Sequence, residues 1–120
     1  AMADGYLVRQ ILYNLISNAV KYSPSDGIVA IRIDEAEDRV QVHVTDQGPG
    51  IAPEFHERIF EKFYRVKDDY VYKVKGHGLG LYLCRYFAEQ IGANIRVSSS
   101  VGHGATFTLD LRTAKARRRR

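Results

Sequence analysis

Residues 40–51 read VQVHVTDQGPGI, and this stretch decides the fold. Val40, Val42 and Val44 alternate with Gln41, His43 and Thr45, the period-two pattern of a strand with one face buried and one face polar. A strand of that kind belongs to a sheet covered on one side only. It ends in Asp46, which shares parity with the valines, so its carboxylate is expected on the covered face. Gly48, Pro49 and Gly50 then turn the chain sharply.

Working outward, Ile28 to Ile33 is a second short β-rich run, joined to the first by the turn-like DEAEDR, and the two suggest an antiparallel hairpin. Upstream, Val8, Ile11, Leu12, Leu15, Ile16 and Ala19 recur at helical spacing from Leu7 to Val20, closing at Ser23-Pro24. Downstream, Pro53 opens a short helix with Phe55, Ile59, Phe60 and Phe63 on its packing face. A polar loop with tyrosines runs from Lys67 to Lys75. A second long helix is expected from about Leu79 to Ile91, then strands near Asn94 to Ser99 and Ala105 to Arg112 joined by the tight turn VGHG. Helices grouped with a largely antiparallel sheet make an α+β fold, a two-layer α/β sandwich.

The 120 residues fit one domain, taken as residues 1–113, with 114–120 as a basic tail. Removing Lys115 and Arg117, Arg118, Arg119 and Arg120 from the 18 basic residues leaves 13 against 14 acidic ones, so the net charge of +4 is a property of the tail. The neutral body offers no basic surface for nucleic acid or membrane. One cysteine, Cys84, excludes an internal disulfide, and no run is apolar enough to span a bilayer or form a signal peptide. A reducing, cytoplasmic setting is expected.

Three constellations carry chemistry. At about 100° per residue, Asn14, Asn18, Lys21 and Tyr22 fall in one quadrant of the first helix, flanking the apolar stripe. Neutral amide oxygens suit Mg²⁺, which keeps waters and takes nucleotide phosphates as further ligands, and Lys21 is placed to meet such phosphates. The plainer alternative has both asparagines bonding local backbone. Asp46 on the covered face accepts hydrogen bonds only, which suits adenine's amino group and not guanine's carbonyl, while DxGxG is also an ordinary turn after a strand. Gly76, Gly78 and Gly80 form a glycine loop opening a helix, matching neither the dinucleotide fingerprint nor the P-loop. Anion binding at the helix N-terminus remains as the physical reading, beside a plain hinge.

Taken in order, NLISNAVKY, DQGPGI, FEKFYR and GHGLGLYL resemble the ATP-binding catalytic domain of two-component sensor histidine kinases, in the gyrase, Hsp90, histidine kinase and MutL superfamily. The resemblance spans about residues 7 to 111. It implies a Bergerat-type sandwich, with a mixed, mostly antiparallel sheet, helices on one face and an ATP lid over residues 66 to 78. The implied cofactors are ATP and Mg²⁺. The resemblance puts Asn18 on the metal with Asn14 in support, and gives Asn14, Asn18, Lys21 and Arg65 the catalytic roles. Asp46 reads adenine. Nucleotide contacts are implied for Asn18, Lys21, Tyr22, Asp46, Gly48, Gly50, Ile51, Phe60 and Thr106, and for the run Gly76, His77, Gly78, Leu79, Gly80 and Leu81. His77 receives no chemistry of its own.

Kinases of this class phosphorylate a histidine on a separate dimerisation domain, from which the phosphoryl group passes to a response regulator. His43, His56 and His103 lack the acceptor pattern, so the chain is expected to be an excised piece of a larger kinase, itself possessing the membrane anchor if there is one. Two alternatives stand beside this reading: a serine kinase of the anti-sigma-factor type, and a module that senses adenine nucleotide without transferring phosphate.

Overall fold

The structure, a computed structural model, describes residues 2–24, 26–61 and 80–112. It contains a 21-residue helix α1 (Met2–Tyr22), strands β1 (Ala30–Glu35) and β2 (Arg39–Asp46), two 3₁₀ turns (Pro53–Phe55 and Arg58–Phe60), helix α2 (Gly80–Gln90), and strands β3 (Asn94–Ser99) and β4 (Ala105–Arg112). The helix forms because Ile11, Leu15 and Ala19, four residues apart, are all buried along one stripe. Asp4 in its first turn and Lys21 in its last suit the helix dipole.

The four strands form one sheet in the order β1-β2-β4-β3, and every pairing among the described residues is antiparallel. The expected parallel component is therefore absent from the described residues. The α+β two-layer architecture is as the sequence predicts. Val42, Val44, Phe107, Leu109 and Ile95 face the helices and join Ile11, Leu15, Cys84, Ala88 and Ile91 in one core. Each fully buried Leu or Ile there contributes about 1.5–3 kcal/mol.

The helix layer covers β2, β3 and β4 but not edge strand β1, where Ile31 and Ile33 remain 52% and 59% exposed although they pair with core residues Val44 and Val42. Strand β1 starts two residues later than its sequence suggests. Pro24 accepts the Gly27 amide at 2.8 Å, and the Ile28 amide donates to the Gln47 side chain at 3.0 Å, so those residues are spent on a turn before pairing begins at Ala30.

The outer face of the sheet is polar yet partly closed. His43 is buried, with Nδ1 bonded to the Thr108 hydroxyl at 2.9 Å and Nε2 donating to Asp34 at 3.1 Å. Asp110 gathers Arg39, Gln41 and Arg96. Among the described residues, no helix is long and apolar enough to cross a membrane.

Candidate nucleotide site

The last turns of α1 meet the end of β2. Ser23, just past the helix, accepts the Gln47 amide on its hydroxyl at 3.1 Å, tying the two elements together where Asp46 leaves the strand. Asn18, Lys21 and Tyr22 lie in this final stretch. Asn18 is half-buried because it precedes the core residue Ala19 by one position, on the flank of the stripe, while Lys21 is exposed and Tyr22 packs against the core.

Asn14, one turn earlier, is directed to α2. Its carboxamide hydrogen-bonds the Cys84 thiol, which also donates to the Ile11 carbonyl at 3.8 Å. Burial pushes that thiol up to about 12, the Asn14 bond working weakly in the opposite direction. The Cys84 side chain is thus a neutral packing group.

Asp46 is only 2% exposed and sits on the helix-covered face, across from Ala105. Its Oδ1 accepts the Gly48 amide at 2.8 Å, a short turn that fixes the carboxylate's direction. The loop that follows is fastened to the β3–β4 turn. The Gly102 amide donates to Pro49 at 2.7 Å, the Ile51 amide donates to the Ser99 hydroxyl at 2.7 Å, and that hydroxyl in turn donates to the Gly104 carbonyl at 2.9 Å. Gly50 has φ +79°, and a Cβ there would lie 2.1 Å from the Ser100 carbonyl oxygen. Gly50 is thus required by backbone packing. Gly104, at φ +73°, meets the Asp46 carbonyl in the same way.

Asn18, Lys21, Tyr22, Asp46 and Gly48 are accordingly brought to one end of the sandwich. Ile51, Phe60 and Leu81 are buried in the adjoining core, and Gly80 is the first residue of α2 with open space around it. Thr106 is not brought there. It pairs with Thr45, sharing a hydroxyl bond at 2.9 Å on the opposite face of the sheet, and lines a separate polar cavity with Ser98, Ser100 and His103. The strand's period of two makes the reason simple: Asp46 faces Ala105, so the next residue points away. Arg65, Gly76, His77, Gly78 and Leu79, with the proposed lid and Tyr70 and Tyr72, lie outside the described residues.

Sequence reasoning passed over Ser23, Gln47, Ser99 and Gly104. The two glycines of VGHG hinted at the last of these, while the side-chain bonds of the others depend on tertiary neighbours that no local pattern encodes. Among the described residues, no three His, Cys, Asp or Glu side chains gather to hold a metal. The Asn18 amide oxygen at this end of the fold is a hard donor of the kind that suits Mg²⁺ shared with a phosphate ligand, while the Asp46 carboxylate is held by the Gly48 amide.

The sequence profile described as histidine kinase-, DNA gyrase B- and HSP90-like ATPase matches residues 3–115. A histidine protein kinase, SaeS of Staphylococcus epidermidis, is 42% identical over 107 residues, which are 88% of this chain and 30% of that protein. Full-length ShkA, solved in complex with AMPPNP, superposes with a TM-score of 0.74 at 34% identity over 88% of this chain and 21% of that one. The catalytic domain of the histidine kinase ThkA, in a nucleotide-free form, gives 0.75 at 29% identity over 89% of this chain and 67% of that one. The chain therefore spans under a third of the length of the curated relative it matches.

Proposed function

The chain belongs to the histidine kinase-, DNA gyrase B- and HSP90-like ATPase family, and from that footing we propose that it binds Mg²⁺–ATP and presents the γ-phosphoryl group to a histidine on a separate dimerisation domain. The product phosphohistidine would pass its phosphoryl group to an aspartate of a response regulator. The observation that carries this reading is Asp46, a carboxylate 2% exposed yet directed to the helix side, beside the end of α1.

Asp46 holds the adenine amino group as an acceptor, with its orientation set by Gly48. Asn18 holds Mg²⁺ through its amide oxygen, and Lys21 meets the phosphates from the exposed end of α1. Tyr22 supports the ribose side. Asn14 acts through packing against Cys84, orienting α1 on α2 and so placing Asn18 one turn on. Arg65 and the amides around Gly78 and Gly80 complete the phosphate contacts. When bound, the metal supplies neutralisation of phosphate charge. The chain itself contributes positioning and electrostatics, which are most of what phosphoryl transfer requires.

His56 is not placed as an acceptor, since its Nε2 donates to the Ile51 carbonyl at 2.9 Å. Asn18→Asp tests the metal assignment: Mg²⁺–ATP affinity and phosphotransfer to a dimerisation domain added in trans should both change, with the melting temperature of the free chain nearly unaltered. Unchanged affinity and unchanged transfer would remove Asn18 from the metal.

A further inference from the structure

The 3₁₀ turn Arg58–Phe60 packs against helix α2, which begins at Gly80. One side chain joins them directly. The Arg85 guanidinium on α2 lies 4.0 Å over the centre of the Phe60 ring, and its Nη1 donates to Glu57 at 2.9 Å. Phe60 is fixed beneath it, buried and edge-on to Phe107 of β4 with ring centres 6.2 Å apart and planes at 79°. The arginine is itself two-thirds covered, at 33% side-chain exposure, whereas Glu57 is 81% exposed.

These contacts are unequal. An ion pair to so exposed a carboxylate contributes little, so the clasp rests on the cation over the ring. It spans different elements, unlike a pair within one helix, and its partner Phe60 is packed on Phe107 of the inner strand β4. Arg85 therefore sets how far the start of α2 stands from the turn that carries Phe60. The family resemblance assigns nucleotide contacts to Phe60 and, in the first turn of α2, to Gly80 and Leu81, so these two elements are taken as walls of the nucleotide site proposed above.

We propose that Arg85 is a positioning residue for that site: it touches no nucleotide, but holds the α2 wall against the Phe60 wall so that the bound nucleotide does not have to draw them together. This rests on the nucleotide-binding reading. A chain without the clasp would use part of its binding energy to close the two walls, which weakens affinity while leaving the fold intact.

The test is titration of the chain with Mg²⁺–ATP, comparing the unmodified chain with Arg85→Ala, Arg85→Lys and Glu57→Gln, alongside melting of each without nucleotide. Arg85→Ala should weaken binding by about threefold to tenfold, the range a partly desolvated cation–ring contact supports. Arg85→Lys, which keeps a cation over the ring, should recover most of that loss, and Glu57→Gln should change affinity by less than about twofold. Arg85→Ala with affinity within twofold of the unmodified chain would overturn the proposal. So would equal losses for Ala and Lys that follow the drop in melting temperature, because that pattern marks a residue acting on stability alone. Absence of binding by the unmodified chain would instead overturn the nucleotide reading itself.

Discussion

At the scale of single residues, the loop after β2 is governed by backbone proximity. Gly50 and Gly102 both have positive φ, at 79° and 83°, but only Gly50 faces a neighbour a Cβ would strike. Gly102→Ala should therefore cost only the conformational strain, about 1 kcal/mol, while Gly50→Ala should cost several kcal/mol because the Ser100 backbone has to move as well. Denaturant unfolding of the two variants measures the difference, and equal losses would show that the close approach is without energetic weight. The sequence did announce a turn here through Gly48-Pro49-Gly50. It did not announce what the turn leans on, since Ser99, Ser100 and Gly104 lie about fifty residues away along the chain. Thr106 teaches the same lesson. A threonine near the right end of β4 is easily assigned to the site, and only the register with β2 shows that it points to the other face.

At the scale of elements, periodicity located both helices and all four strands, because alternation in β2 and the Ile11, Leu15, Ala19 stripe in α1 each follow from burying one face. Boundaries moved where side chains intervened. Helix α1 extends back to Met2, beyond its first apolar position, and the single helix expected after Pro53 is instead two 3₁₀ turns within the described residues. The polar face of the sheet was legible as polar, but not as a network. Burial alone would push Asp110 up; the Arg39 and Gln41 hydrogen bonds and the charges of Arg39 and Arg96 outweigh it and hold the carboxyl below its ordinary range. The folded value lies below the unfolded one of about 3.9, so the stabilisation is complete above that pH and disappears as pH falls through the folded value. Asp110→Asn should lower stability at pH 7 by about 1 kcal/mol and flatten the loss between about pH 5 and pH 2. An unchanged acid limb in equilibrium unfolding would separate Asp110 from the acid response.

At the scale of the whole molecule, the fold joins the end of α1 to the end of β2 at one end of a two-layer sandwich, where Asp46 is buried. An ionised carboxylate accepts hydrogen bonds only, so the role proposed for Asp46 predicts adenine over guanine. The most direct measurement is a melting scan of the chain with ATP and with GTP, each with and without Mg²⁺. ATP with Mg²⁺ at about a hundredfold over Kd should add about 2.7 kcal/mol to stability, with GTP giving far less and ATP losing much of its effect when the metal is withheld. No shift with any nucleotide, or equal shifts with ATP and GTP, would contradict the account.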